Sequence, residues 1–165
     1  MKTMMAVAVT ALFLAAPPAR AAAYGGGDVG LGVTLGSPTG LDAKFGLGGV
    51  HSLDATFGVH FLLHDAVGIG VEYNAEVFSF NAGPTHNGLY LGAGGLFTFL
   101  NHGLYHKHRD HTDVGFGVRV PFGVDFVFNR APVNLFAEIA PGFTVVTNHG
   151  LDFLFDVAIG VRFIL

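Results

Sequence analysis

The chain has 165 residues, of which 51% are hydrophobic and only 12% charged, with no cysteine. Eight Lys and Arg against twelve Asp and Glu give a net charge of −4, which excludes a basic nucleic-acid surface. The missing cysteine excludes disulfides and thiolate metal sites, and a charged fraction about half the roughly 25% of soluble domains argues against an ordinary water-soluble surface.

Residues 1–23 read as a signal peptide. Lys2 supplies the positive start, Met4 to Ala16 the apolar stretch, and Ala19-Arg20-Ala21 and Ala21-Ala22-Ala23 the small-residue cleavage sites. The apolar stretch is too short for a membrane anchor. Cleavage is expected after Ala21 or Ala23, leaving 24–165 as one barrel domain. Without Lys2 and Arg20, six basic residues face twelve acidic ones, a net charge of −6. Beyond residue 23 no apolar run approaches the ~18 residues of a membrane helix.

From Val29 onward the chain alternates with period two, the period of a strand. Val29, Leu31, Val33 and Leu35 oppose Gly30, Gly32 and Thr34, and Ser37-Pro38-Thr39-Gly40 turns the chain. Leu41, Ala43, Phe45 and Leu47 oppose Asp42, Lys44 and Gly46, before a Gly48-Gly49 hairpin. Leu53 to Leu63 alternates with Asp54, Thr56, Gly58 and His60, and His64-Asp65 marks a reversal. Ile69, Val71, Tyr73, Ala75 and Val77 then oppose Gly70, Glu72, Asn74 and Glu76.

Asn81 to Asn87, with Gly83-Pro84, reads as a loop. Leu89, Leu91, Ala93, Phe97 and Phe99 oppose Tyr90, Gly92, Gly94 and Thr98, and a polar loop runs from about Asn101 to Thr112. Val114 to Phe128 carries an unbroken apolar face opposite Asp113, Gly115, Gly117, Arg119, Gly123 and Asp125. After a turn at Asn129 to Pro132, Leu135, Ala137, Ile139, Phe143 and Val145 oppose Asn134, Glu138, Gly142 and Thr144. Asn148-His149-Gly150 leads into Leu151–Leu165, whose odd positions are all apolar and whose even positions include Asp152, Asp156, Gly160 and Arg162. Pro121 and Pro141 lie inside strands, where each removes a ladder donor and suggests a bulge.

Eight alternating segments with no helical period predict an all-β fold, an eight-stranded antiparallel up-and-down transmembrane β-barrel. The competing reading is a soluble, lipocalin-like periplasmic barrel with the apolar face inward. Volume argues against it. Most of the seventeen phenylalanines fall on the apolar face, and an eight-stranded interior has no room for them. The glycine-rich polar face suits a narrow lumen better than a solvated exterior.

Four blocks carry a family resemblance: Gly36-Ser37-Pro38-Thr39-Gly40-Leu41 followed by Lys44 and Phe45, Val118-Arg119-Val120-Pro121-Phe122-Gly123, Phe136-Ala137-Glu138-Ile139-Ala140-Pro141, and Gly160-Val161-Arg162-Phe163. The chain resembles the small eight-stranded outer-membrane barrels of unknown function in Gram-negative bacteria, with the architecture of the OmpA and OmpX barrel domains. The resemblance spans nearly all of 24–165. It implies residence in the outer membrane, contact with its lipid, insertion by the barrel-assembly machinery, and no catalytic residues.

On the lumen face the acids are Asp42, Asp54, Glu72, Glu76, Asp125, Glu138, Asp152 and Asp156, and the bases are Lys44, Arg119 and Arg162. Unpaired charge is costly in a narrow lumen, so these should form a network that fills it. The alternative is a narrow cation-favouring pore, because acid rings attract cations. Lipid enzymology is weaker, since Ser37, Ser52 and Ser79 show no base beside them. The expectation is a non-enzymatic monomer with a plugged lumen, serving envelope structure or surface interaction, with no nucleic-acid partner. The histidine-rich loop allows weak divalent-metal binding through His106, His108 and His111, although the spacing matches no closed zinc motif and Lys107 and Arg109 oppose a cation.

Overall fold

The computed structural model describes residues 24–61, 66–101, 112–147 and 150–165. It contains nine antiparallel strands: β1 (Val29–Gly36), β2 (Thr39–Gly48), β3 (His51–His60), β4 (Ala66–Ala82), β5 (Thr85–Asn101), β6 (Thr112–Arg119), β7 (Phe122–Phe128), β8 (Val133–Val146) and β9 (Gly150–Ile164). The alternation predicts eight. The extra strand arises at Pro121, which splits one predicted strand in two. Both halves lie between β5 and β8 and keep one register, with Arg119 opposite Gly94 and Gly142, and Phe122 opposite Leu91 and Ile139. The wall is therefore eight staves wide.

It closes on itself, because β1 pairs β9 and β4 pairs β5. The register can be followed once around, from Ile164 through Gly30, Lys44, Asp54, Glu72, Gly94, Arg119 and Gly142 to Leu154. The circuit returns to β9 ten residues from where it began. Eight staves with that stagger tilt the strands by roughly 40° and set a backbone radius of about 8 Å.

One rim holds both described termini with the turns at Gly48-Gly49, Gly83-Pro84 and 129–132. This is the terminal rim; the opposite, loop rim holds the Ser37-Pro38 turn. Gly48 and Gly49 both have positive φ, 94° and 63°, as a tight two-residue hairpin requires. The expected loop at 81–87 is instead strand on both sides of the Gly83-Pro84 turn, with Ala82 opposite Thr85 and Asn81 opposite His86. Turn residues punctuate there without lengthening the loop. Val77 also departs from expectation. The β4–β5 register shifts between Glu76 and Phe78, so beyond it Phe78 and Phe80 carry the exposed apolar face. The reversal at His64-Asp65 and the turn residues 148–149 lie outside the described residues.

Polarity is inverted relative to a water-soluble protein. Asp42, Lys44, Asp54, Glu72, Arg119, Asp125, Asp156 and Arg162 are buried inside, while Leu41, Phe57, Phe116, Val118, Leu151 and Ile159 are among the exposed side chains. An apolar interior of the lipocalin kind is thus excluded. The exposed phenylalanines gather towards the two rims: Phe45, Phe78, Phe80, Phe126 and Phe163 at the terminal rim, and Phe61, Phe99, Phe116, Phe143, Phe153 and Phe155 at the other. Phe57 and Phe122 sit between. On single staves Phe116 is ten residues from Phe126, and Phe153 ten from Phe163. At roughly 2.5 Å of axial rise per tilted residue, these belts are about 25 Å apart.

Candidate functional site: the charged lumen

The stagger, rather than sequence neighbourhood, decides which lumen charges meet. Asp42 and Lys44 lie two apart on β2, and Asp156 and Arg162 share β9, yet neither pair bonds. Arg162 instead reaches across β1 at Gly32, the residue opposite both Arg162 and Asp42. Its Nε pairs with Asp42, Nη1 donates to Asp125 at 3.1 Å and to Asn134 at 3.2 Å, and Nη2 donates to Asp54 at 3.4 Å. The Phe136 ring lies under the guanidinium, 3.8 Å from Cζ to centroid.

Lys44 and Asp54 are opposite residues on β2 and β3, and their charges are 3.5 Å apart. Lys44 Nζ also donates to Asp125 at 2.7 Å and stands 4.5 Å from the Tyr90 ring centroid. Asn74 completes this lower cluster by donating to Asp54 at 2.8 Å. Two cations thus serve Asp42, Asp54 and Asp125 jointly.

A second cluster lies nearer the loop rim. Arg119 faces Glu72 across Gly94; its Nε pairs with Glu72 and its Nη1 donates to Asp156 at 2.9 Å. Ser37 Oγ donates to the same Asp156 carboxylate at 2.6 Å, and His60 Nδ1 lies 3.3 Å from it. Serine, histidine and aspartate therefore converge, but the serine bonds the carboxylate rather than the imidazole. In that arrangement the imidazole does not accept the serine proton. Tyr90 Oη donates to Glu138 at 2.8 Å.

Asp152 does not join the network. It is on the lumen side of β9 but exposed at the loop rim, where its carboxylate accepts the Phe153 N–H at 2.8 Å. Glu76 is buried near the terminal rim, 3.8 Å from His86 Nε2, and lines a cavity with Lys44 and Asp125. His106, His108 and His111 lie outside the described residues, as do His64, His102 and His149.

Several lumen residues escape the sequence pattern. Leu154, Leu96, Val146 and Ala66 form a buried apolar cluster towards the loop rim. Leu154 holds an even position in the last strand, so its parity is the signal that could have found it. Tyr24, ahead of the first strand, is buried at the terminal rim. Between these ends the described charges leave two small cavities. One, about 20 Å³, is bounded by Tyr24, Lys44, Ser52, Glu76, Tyr90 and Asp125. The other, about 10 Å³, lies among Asp42, Asp54, Glu72, Arg119, Glu138 and Arg162. Neither exceeds the space of about one water.

No protein-family model matches the chain, and no curated protein matches it. Among solved structures it is similar to the N-terminal β-barrel domain of OprF from Pseudomonas aeruginosa, with a TM-score of 0.57 and 11% identity, covering 84% of this chain and 96% of that one. At that identity the likeness is one of fold: a closed antiparallel β-barrel.

Proposed function

We propose that this chain is a small integral outer-membrane protein whose lumen is closed by its own ion network, and that it serves the envelope structurally or through its surface loops rather than by catalysis. The observation that carries the reading is the inverted polarity, with an apolar exterior bounded by two phenylalanine belts about 25 Å apart, the height of the apolar band of outer-membrane barrels. Lipid is then the partner of the outer wall. Closure removes the free strand edges that would otherwise pair with other chains, which favours a monomer, delivered by the barrel-assembly machinery. The OprF likeness agrees with this placement at the level of fold.

Cell fractionation with gel mobility tests it. The protein should partition with outer membranes and migrate faster in SDS before boiling than after, because a closed hydrogen-bonded wall resists the detergent. Recovery in the soluble periplasm without a heat-dependent shift would overturn the proposal.

A cation path is the second reading. Its support is the excess of lumen acids, Asp42, Asp54, Glu72, Asp125 and Asp156 buried and Glu138 half-buried, over Lys44, Arg119 and Arg162.

A further inference from the structure

The chain ahead of β1 reads Tyr24-Gly25-Gly26-Gly27-Asp28, and it folds into a hook. Gly27 has a φ of 95°, a left-handed conformation that glycine adopts without steric cost. The reversal is tied by the Asp28 carboxylate, which accepts the Gly25 N–H at 2.7 Å. Two backbone bonds then dock the hook on the end of β2: Gly27 N–H to the Gly46 carbonyl at 2.9 Å, and Gly46 N–H to the Asp28 carbonyl at 2.8 Å.

This geometry turns Tyr24 into the lumen. The side chain is only 3% exposed, although nothing described precedes it. Its ring centroid lies 5.4 Å from Lys44 Nζ, close enough for a cation over an aromatic face. Burial holds its phenol well above the ordinary tyrosine range, so the ring is neutral. The hydroxyl has no hydrogen-bond partner among the described residues and borders the 20 Å³ cavity, which has room for one water to satisfy it.

The wall is shaped to receive this ring. A Cβ on Gly30 would meet the Tyr24 ring atoms Cε1 at 3.1 Å and Cζ at 3.2 Å, as well as its hydroxyl. A Cβ on Gly46 would meet the Gly25 carbonyl group and Tyr24 Cβ. In both cases the nearest obstructing atoms belong to the hook alone. Gly30 and Gly46 thus leave a recess in the lumen wall that Tyr24 and Gly25 occupy.

We propose that residues 24–28 are a built-in stopper, with Tyr24 seated in the Gly30–Gly46 socket, that closes the terminal mouth of the lumen to small solutes. This deepens the closed-lumen reading by assigning the closure of one mouth to one side chain. Conductance reports the whole length of the lumen, whereas chemistry just inside that mouth reports the stopper alone, so the two claims can fail separately.

The native chain lacks cysteine, so Ser52→Cys gives a single reporter. Ser52 is buried, stands opposite Gly46 of the socket and borders the cavity that Tyr24 lines. The probe is 2-(trimethylammonium)ethyl methanethiosulfonate, applied to refolded full-length mature protein in detergent, with heat-shifted mobility confirming the fold of every variant. With the hook intact, Cys modification should be slow. Tyr24→Ala should accelerate it at least tenfold, and Tyr24→Phe, which keeps the ring, should leave it slow. Gly46→Ala should evict the hook while retaining Tyr24 and give a similar acceleration, and it carries the test if Tyr24→Ala does not fold. Rates within twofold of one another in the hook-intact, Tyr24→Ala and Gly46→Ala proteins would overturn the proposal. So would rapid modification with the hook intact.

Discussion

Arg162 is 1% exposed and bonds three carboxylates and an amide. A buried guanidinium is stabilising only while its partners remain, and removing one side of such a cluster costs about 3–5 kcal/mol. Arg162→Met would leave Asp42, Asp54 and Asp125 with Lys44 as their only cation. The urea midpoint for unfolding in detergent or lipid should fall by an amount equivalent to about that cost. Adding Asp42→Asn to the same protein should restore part of the loss, because one uncompensated charge is removed with it. Asp152→Asn, at the exposed rim, should change stability by less than about 0.5 kcal/mol. A drop for Asp152→Asn as large as that for Arg162→Met would contradict the separation of rim from network.

Pro121, in the break between β6 and β7, and Pro141, in β8, act together on one stave. Val120 donates to the Pro141 carbonyl at 2.9 Å, and Gly92 donates to the Pro121 carbonyl at 2.9 Å. In an antiparallel ladder such pairs normally exchange two bonds. Here the return bonds are missing, because neither proline has an N–H. The stave therefore loses one bond towards β8 at Val120 and one towards β5 at Pro121, while β8 stays paired with β9 through Pro141. That is why the break falls between β6 and β7 and not in β8. Pro121→Ala would return a donor facing the Gly92 carbonyl, worth about 1 kcal/mol. Slower amide exchange at Gly92 and Val120, with a higher unfolding midpoint, is the expected result; unchanged exchange would mean Pro141 alone sets the break. The period-two pattern makes most staves legible, because a strand has only two faces. It fails at Val77, where a bulge exchanges the faces, and at Tyr24, which precedes any strand. The inward charges are legible as a set but not as pairs. Arg162 meets Asp42 across Gly32, and Arg119 meets Glu72 across Gly94, through a stagger that exists only once the ring has closed.

Across the molecule, three layers of different chemistry close the lumen in series. Leu154, Leu96, Val146 and Ala66 pack towards the loop rim; the two cation–carboxylate clusters fill the middle; Tyr24 lies at the terminal rim. A permeating ion would have to pass this cluster, which shares its level with the buried Thr98 and Thr144 side chains, shedding most of its water at a cost of several kcal/mol even after relaxation, and then displace side chains already bonded to one another. The small cavities along the lumen, about 10 and 20 Å³, are not continuous water columns of the kind an ion follows. Purified protein with heat-shifted mobility, reconstituted in planar bilayers, should therefore show no steady conductance. If current does flow, the excess of lumen acids dictates its sign, since carboxylates lining a constriction favour cations. Reproducible cation-selective steps that disappear with Glu72→Gln or Glu138→Gln would replace the closed barrel with a narrow pore. Silence in the native protein, and in Tyr24→Ala as well, would place the barrier to ions in the middle and upper layers and leave the stopper with small solutes near its own mouth.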